Sequence, residues 1–294
     1  MTRQVVVLLL PLFSVLSQVD SQPQYDDAFA RNTLFPLCVA SYNTNPQPCL
    51  NNILPGYTML KKFDVPCGVL NTDSCSAYAG VSFKNRSIFL VFRGSTGKIQ
   101  ILSQALESVF RLRKAFENGV RVNRYFFESF SKVWNAGMRE HFMELRKAYP
   151  DYEVWVTGHS LGGAMASVAA GALVYRSLVP PSQIKLVTFG QPRVGTPLFA
   201  NYIDGSISYR FRVVHRNDPV AEIPTRVFLL ETYKHQGHEI WYNNDMKPNE
   251  PFAKCGMDIL GDCDNFVLSW NDHNSYFGVN LQAFKENHCV YKGV

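Results

Sequence analysis

The chain has 294 residues, 46% of them hydrophobic and 18% charged. That apolar content excludes a disordered chain, and the length is enough for one sizeable core. A formal net charge of +5 is too mild for a nucleic-acid-binding footprint.

Residues 1–21 stand apart. Arg3 precedes the apolar run Val5-Val6-Val7-Leu8-Leu9-Leu10-Pro11-Leu12-Phe13, and small and polar residues follow, with cleavage expected near Ser17 or Ser21. This is a signal-peptide pattern, and its apolar run is too short to span a bilayer comfortably. Arg3 and Asp20 cancel, so cleavage leaves the charge balance unchanged. Residues 22–294 are then expected as one secreted, extracellular domain whose seven cysteines read as disulfide partners before metal ligands, with one thiol left over. Cys67 with Cys75, and Cys255 with Cys263, are close enough to close local loops. Cys38, Cys49 and Cys289 remain, and either of the first two can tie the N-terminal region to the C-terminal end. A zinc site lacks its C-x-x-C pair and a nearby H-x-x-x-H.

Residues 22–55 read as an N-terminal wrap, with a helix near Ala28 to Tyr42 closed by Asn45-Pro46. Tyr78 to Arg93 reads as a β-hairpin turning at Lys84-Asn85-Arg86. The centre of its second strand, Ile88-Phe89-Leu90-Val91-Phe92, is apolar throughout and belongs inside a sheet. Asn85-Arg86-Ser87 is an N-x-S sequon on that turn, which makes Asn85 a candidate glycan site; an unmodified polar turn is the alternative. Gly94-Ser95-Thr96-Gly97-Lys98 is no phosphate loop, because Phe92 and Ile99 stand where glycine and Ser or Thr are required. Beyond it, Leu102, Ala105, Leu106, Val109 and Phe110 share one face at helical spacing.

Phe130, Val133, Trp134, Gly137, His141, Phe142 and Leu145 predict a core-facing helix ending before Pro150. Tyr152 to Thr157 reads as a buried strand. Gly158-His159-Ser160-Leu161-Gly162 follows, a G-x-S-x-G pattern, and small residues then predict a helix to about Tyr175. Strand, turn and helix in that order hold a serine out of a strained backbone, and the helix start aims N–H groups at charge forming beside Ser160. Ile184 to Gly190 and Tyr209 to His215 are further strands, the second ending at Arg216-Asn217-Asp218-Pro219. Strands alternating with helices indicate an α/β sheet with helices on its faces.

A serine nucleophile needs a base, and the base needs an orienting acid. Behind such an elbow the order is Ser, then Asp or Glu, then His. Asp218 sits just past a strand end, where open α/β sheets place their sites; a strand-terminating Asx turn is the plainer reading. The histidines after Ser160 are His215, His235, His238, His273 and His288.

Gly158-His159-Ser160-Leu161-Gly162-Gly163, Val91-Phe92-Arg93-Gly94-Ser95, Asn217-Asp218-Pro219-Val220 and Asp272-His273-Asn274-Ser275-Tyr276-Phe277 stand in the chain in an order that resembles the fungal-type class 3 lipases. The resemblance runs from about Tyr78 to Phe277. It implies an α/β-hydrolase-type fold, with a central, mostly parallel sheet and helices on both faces. It implies Ser160 as nucleophile, Asp218 as orienting acid and His273 as general base, with Ser95 and the Leu161 N–H forming the oxyanion hole. His238 is the rival base, in a segment that looks like a family motif preceding the catalytic histidine. Asp272 reads as a surface or turn residue. The implied activity is hydrolysis of acylglycerol esters through an acyl-enzyme, with no cofactor and no metal. The partners are a lipid or other ester substrate and, transiently, a lipid surface. The apolar face from Leu102 to Phe110 falls where these lipases carry a lid, with Gly97 as its hinge. A soluble-ester (feruloyl-type) esterase and a non-catalytic secreted lipid-binding protein are the alternatives.

Overall fold

Eight strands pair into one sheet in their chain order: β1 (Tyr57–Cys67), β2 (Asp73–Ser82), β3 (Ser87–Phe92), β4 (Glu153–His159), β5 (Ile184–Phe189), β6 (Tyr209–His215), β7 (His238–Tyr242) and β8 (Ala253–Cys255). The computed structural model describes residues 23–67, 73–95, 113–116, 119–228, 231–256, 263, 268–286 and 289. The expected signal peptide, the apolar face from Leu102 to Phe110 and His288 lie outside the described residues. Neighbours from β3 to β7 run parallel. The pairs β1–β2, β2–β3 and β7–β8 are antiparallel.

Parallel neighbours laid down in chain order constrain the helices. Right-handed crossovers that all step the same way put their helices on the same face. Helices Arg124–Val133, Arg139–Ala148, Leu161–Tyr175 and Pro197–Ser206 accordingly share one core with the sheet, where Phe126, Phe130, Phe142, Met165 and Phe199 meet Ile88, Leu90, Phe92, Val156 and Leu186. The other face, with Phe89, Val91, Trp155, Phe189 and Phe211, is left to the two chain ends. Leu34, Phe35, Leu37 and Leu50 cover it from one side, and Tyr276, Phe277 and Phe284 from the other. The apolar run of β3 is thereby divided between two cores, residue by alternate residue.

A disulfide between Cys49 and Cys289 joins these covering ends, 240 residues apart in sequence. Cys67–Cys75 and Cys255–Cys263 are also bonded, and Cys38 is a buried free thiol. Chain entropy gives a loop as long as the Cys49–Cys289 one a stabilisation on the order of 5 kcal/mol. Replacing both cysteines by serine is expected to lower the urea midpoint of unfolding markedly; an unchanged midpoint would show that packing alone holds the ends down.

Three elements differ from the sequence expectation. The N-terminal helical stretch ends at Ala40, and Asn45 starts a second helix, Pro46–Ile53, its side chain accepting the Gln47 N–H. Strand β1 was not read from the sequence, because a bulge between Met59 and Lys61 breaks its alternation. The helix expected through Gly137 is broken there, at a φ of +113°. No helix among the described residues is long and apolar enough to cross a membrane.

Candidate active site

The site lies at the C-terminal ends of the parallel strands. Strand β4 enters the elbow, with Gly158 registered between Phe92 and Thr188 on the flanking strands. Ser160 follows at φ +59° and ψ −130°, a backbone that L-residues avoid. The elbow needs its glycines, since a Cβ on Gly158 would run into the main chain of Gly162, and one on Gly162 into the main-chain oxygen of Phe92. Leu161 is the first residue of the helix, so its N–H lies where no intrahelical acceptor exists. Ser95 is partly buried and follows Gly94, where a Cβ would lie 3.1 Å from the Cβ of Ser160.

Ser160, His273 and Asp218 form one buried hydrogen-bonded chain. His273 Nδ1 lies 2.8 and 2.9 Å from the two oxygens of Asp218, and its Nε2 lies 2.9 Å from the Ser160 hydroxyl. A carboxylate can only accept, so Nδ1 carries the hydrogen and Nε2 is left bare to accept the hydrogen bond of the Ser160 hydroxyl. The three residues are no more than 3% exposed.

Asp218 has further donors. The Val220 N–H reaches Oδ1 at 2.8 Å, and the Tyr276 hydroxyl reaches Oδ2 at 2.6 Å. Burial pushes its pKa up, but His273, Tyr276 and His159 outweigh burial, and the carboxyl is held below its usual range. The Asp218 turn and the short helix Trp270–Asn274 that carries His273 are tied through Asn217. Its carbonyl accepts the Ser269 N–H at 2.9 Å, and its N–H is accepted by the Asp272 carboxylate at 3.2 Å. Asp272, expected from the sequence as a surface or turn residue, is half-buried and braces the Asp218 turn against the His273 helix.

His238 does not join this chain. It lies in β7 beside the Phe211 ring, with Lys254, Arg210 and Asp204 as its charged neighbours. Its segment serves the site indirectly. His235 donates to the Ala221 carbonyl at 2.7 Å, in the loop after Asp218, and Gln236 donates to Ser167 on the elbow helix at 2.8 Å.

His159, Tyr42, Tyr276 and Gly190 complete the surroundings, none of them singled out from the sequence. The rings of His159 and His273 lie 4.6 Å apart and 32° from parallel. Burial first, then the neighbouring His273, pushes the His159 pKa down to about 3. An unfolded histidine titrates near 6.5. Between those values the unfolded chain binds a proton that the folded chain refuses, so stability falls as pH falls through that window. Asp218 acts in the same direction, its contribution being present above its unfolded value and lost as pH falls through the folded one. The urea midpoint should therefore drop between pH 6.5 and pH 4, and His159→Gln should flatten that slope. Parallel pH profiles for the two proteins would exclude His159 as the source.

Glu239, Cys255 and Cys263 gather within 4.8 Å of one another. Two of them form a disulfide, so their sulfurs offer no thiolate to a metal.

Residues 89–228 match the family model for class 3 lipases, "Lipase (class 3)". A Caenorhabditis elegans lipase is 30% identical across 97% of this chain and 88% of its own length. A Rhizomucor miehei lipase is 37% identical across 66% of this chain, which spans about half of that relative, 53%. Among solved structures, a triacylglycerol lipase whose catalytic centre is described as a serine protease triad superposes with a TM-score of 0.70. It is 27% identical, over 85% of this chain and 95% of that one. With near-complete alignment to a lipase, that fold, and a serine, histidine and aspartate in hydrogen-bond contact at its elbow, the chain belongs to the class 3 lipases, a family of serine carboxylic-ester hydrolases.

Proposed function

We propose that this chain is a secreted lipase that cleaves acylglycerol esters, with Ser160 as nucleophile, His273 as general base and Asp218 as orienting acid. The observation that carries the reading is the unbroken chain from the Ser160 hydroxyl through His273 to Asp218. Ser160 Oγ attacks the ester carbonyl while His273 Nε2 takes its proton. The oxyanion rests on Ser95 and the Leu161 N–H, donors aimed at charge that develops only in the transition state. His273 then gives its proton to the departing alcohol. A water attacks the acyl-enzyme, again through His273, and the free acid leaves. Acylglycerols are the preferred substrate class because relatives matched over most of this chain are lipases, one of them a triacylglycerol lipase.

The test is the rate of purified protein against a short-chain ester taken through its solubility limit, beside emulsified triacylglycerol and a feruloyl ester. A lipase gains rate as the substrate surface forms. A hyperbolic curve through the limit, with preference for the feruloyl ester, contradicts this reading and favours the soluble esterase.

Secretion is proposed on the signal-peptide pattern and the three disulfides. On that reading Asn85 carries a glycan. Its Oδ1 accepts the hydroxyls of Tyr57 and Ser82 at 3.0 and 3.1 Å, on an exposed turn at the end of β3 away from Ser160. Protein from a eukaryotic secretory host should lose mass with an N-glycosidase, and Asn85→Gln should already lack that mass. Unmodified wild-type protein from such a host refutes the assignment.

A further inference from the structure

Tyr42 comes from the covering N-terminal region, just after the Phe35–Ala40 helix, and belongs to none of the motifs above. Its hydroxyl lies 2.9 Å from Nδ1 of His159 and packs directly against Gly94. The direction of the first bond is fixed from the far side of the imidazole. There Nε2 of His159 lies 2.9 Å from the main-chain oxygen of His273. A carbonyl can only accept, so Nε2 carries the hydrogen, and Nδ1 takes the hydrogen of Tyr42.

Each end of this relay meets a group that needs it. The His273 carbonyl lies at the close of a five-residue helix, where the last carbonyls have no intrahelical donor. His159 supplies that donor and also lies over the His273 ring. At the other end, a Cβ on Gly94 would strike the Tyr42 hydroxyl and come within 2.7 Å of the His159 carbonyl. The strand end leading into Ser95 is thus pressed against the nucleophile, with Tyr42 as its backing.

We propose that Tyr42 is a positioning residue for ester cleavage: one hydroxyl fixes His159, and through it the main chain of His273, to the Gly94–Ser95 arm. This rests on the roles proposed for Ser160, His273 and Ser95. Loss of the hydroxyl leaves His159 Nδ1 without its donor and removes the atom packed against Gly94. The base and the oxyanion arm then lose their common anchor. Small displacements at such a centre cost rate more than ground-state binding.

The test measures kcat and KM on a dissolved short-chain p-nitrophenyl ester for Tyr42→Phe, His159→Leu, the double variant, His159→Gln and Ser160→Ala. Tyr42→Phe and His159→Leu should each lower kcat by about tenfold or more with KM little changed. The double variant should be no worse than the poorer single one, because both break the same relay. His159→Gln keeps an amide donor and an acceptor, and should recover much of the His159→Leu loss. Wild-type kcat in Tyr42→Phe, a raised KM at unchanged kcat, or losses that multiply in the double variant would overturn the proposal. If Tyr42→Phe does not fold, equal kcat in His159→Leu and His159→Gln overturns it instead. Ser160→Ala keeps the two readings apart. An active Ser160→Ala enzyme removes the triad assignment, whereas an inactive one beside a fully active Tyr42→Phe removes only this proposal.

Discussion

Gly190→Ala is expected to lower kcat by about a thousandfold or more, the scale seen when the base of such a triad is held wrongly. Gly190 follows β5 at φ +54°, in the left-handed region. A Cβ there would lie 2.5 Å from Asp218 Oδ2, 3.0 Å from His273 Nδ1 and 3.0 Å from the Tyr276 hydroxyl. Those atoms form the acid–base bond and its supporting donor, so the methyl group has nowhere to go that spares them. The backbone is held as well, since the Gly190 N–H donates to the Val213 carbonyl at 3.0 Å. The left-handed backbone costs alanine only about 1–2 kcal/mol, which a domain of this size tolerates. The expected result is thus a folded protein, with a cooperative melt a few degrees lower, that has lost nearly all turnover. Near-wild-type kcat in Gly190→Ala would mean that the Asp218–His273 contact can move without consequence.

The second large effect separates two histidines. His273→Ala should cost kcat about 10⁴-fold or more, since His273 Nε2 is the acceptor held 2.9 Å from the Ser160 hydroxyl. His238→Ala should keep most of the activity. His238 stands in β7 among Phe211, Lys254, Arg210 and Asp204, and its removal affects stability ahead of chemistry. An inactive His238→Ala beside an active His273→Ala would reverse the assignment.

How much of this was legible in the chain depends on where each constraint is written. The elbow was readable because its demands are local: Gly158, Ser160 and Gly162 solve one backbone problem within five residues. Strands β3 and β4 were readable because burial on both faces leaves near-continuous apolar runs at their centres, while β5 and β6 keep apolar residues around Lys185, Arg210 and Arg212. Their order predicted helices on the sheet but not which cover each face, because that follows from the direction in which every crossover steps. The partners of the triad were hidden for a different reason. Tyr276 reaches Asp218 across 58 positions, and Tyr42 reaches His159 across 117. No periodicity records such pairs. Tyr276 and His159 did stand inside the motifs that were read, one after the base and one before the nucleophile, and that adjacency was the available signal. Tyr42 had none. Cys38 and Cys49 were equal candidates for Cys289 until the fold buried one against Thr157 and brought the other to the C-terminal end.

Ser160 as the nucleophile of an ester hydrolase is tested most directly by titration of the purified enzyme with a serine-directed phosphonate, followed by mass mapping of the adduct. The expected result is one equivalent on the peptide containing Ser160, with hydrolytic activity falling in proportion and no labelling of Ser160→Ala. Labelling at another serine with the same loss of activity, or full activity with Ser160 modified, would contradict Ser160 as the nucleophile.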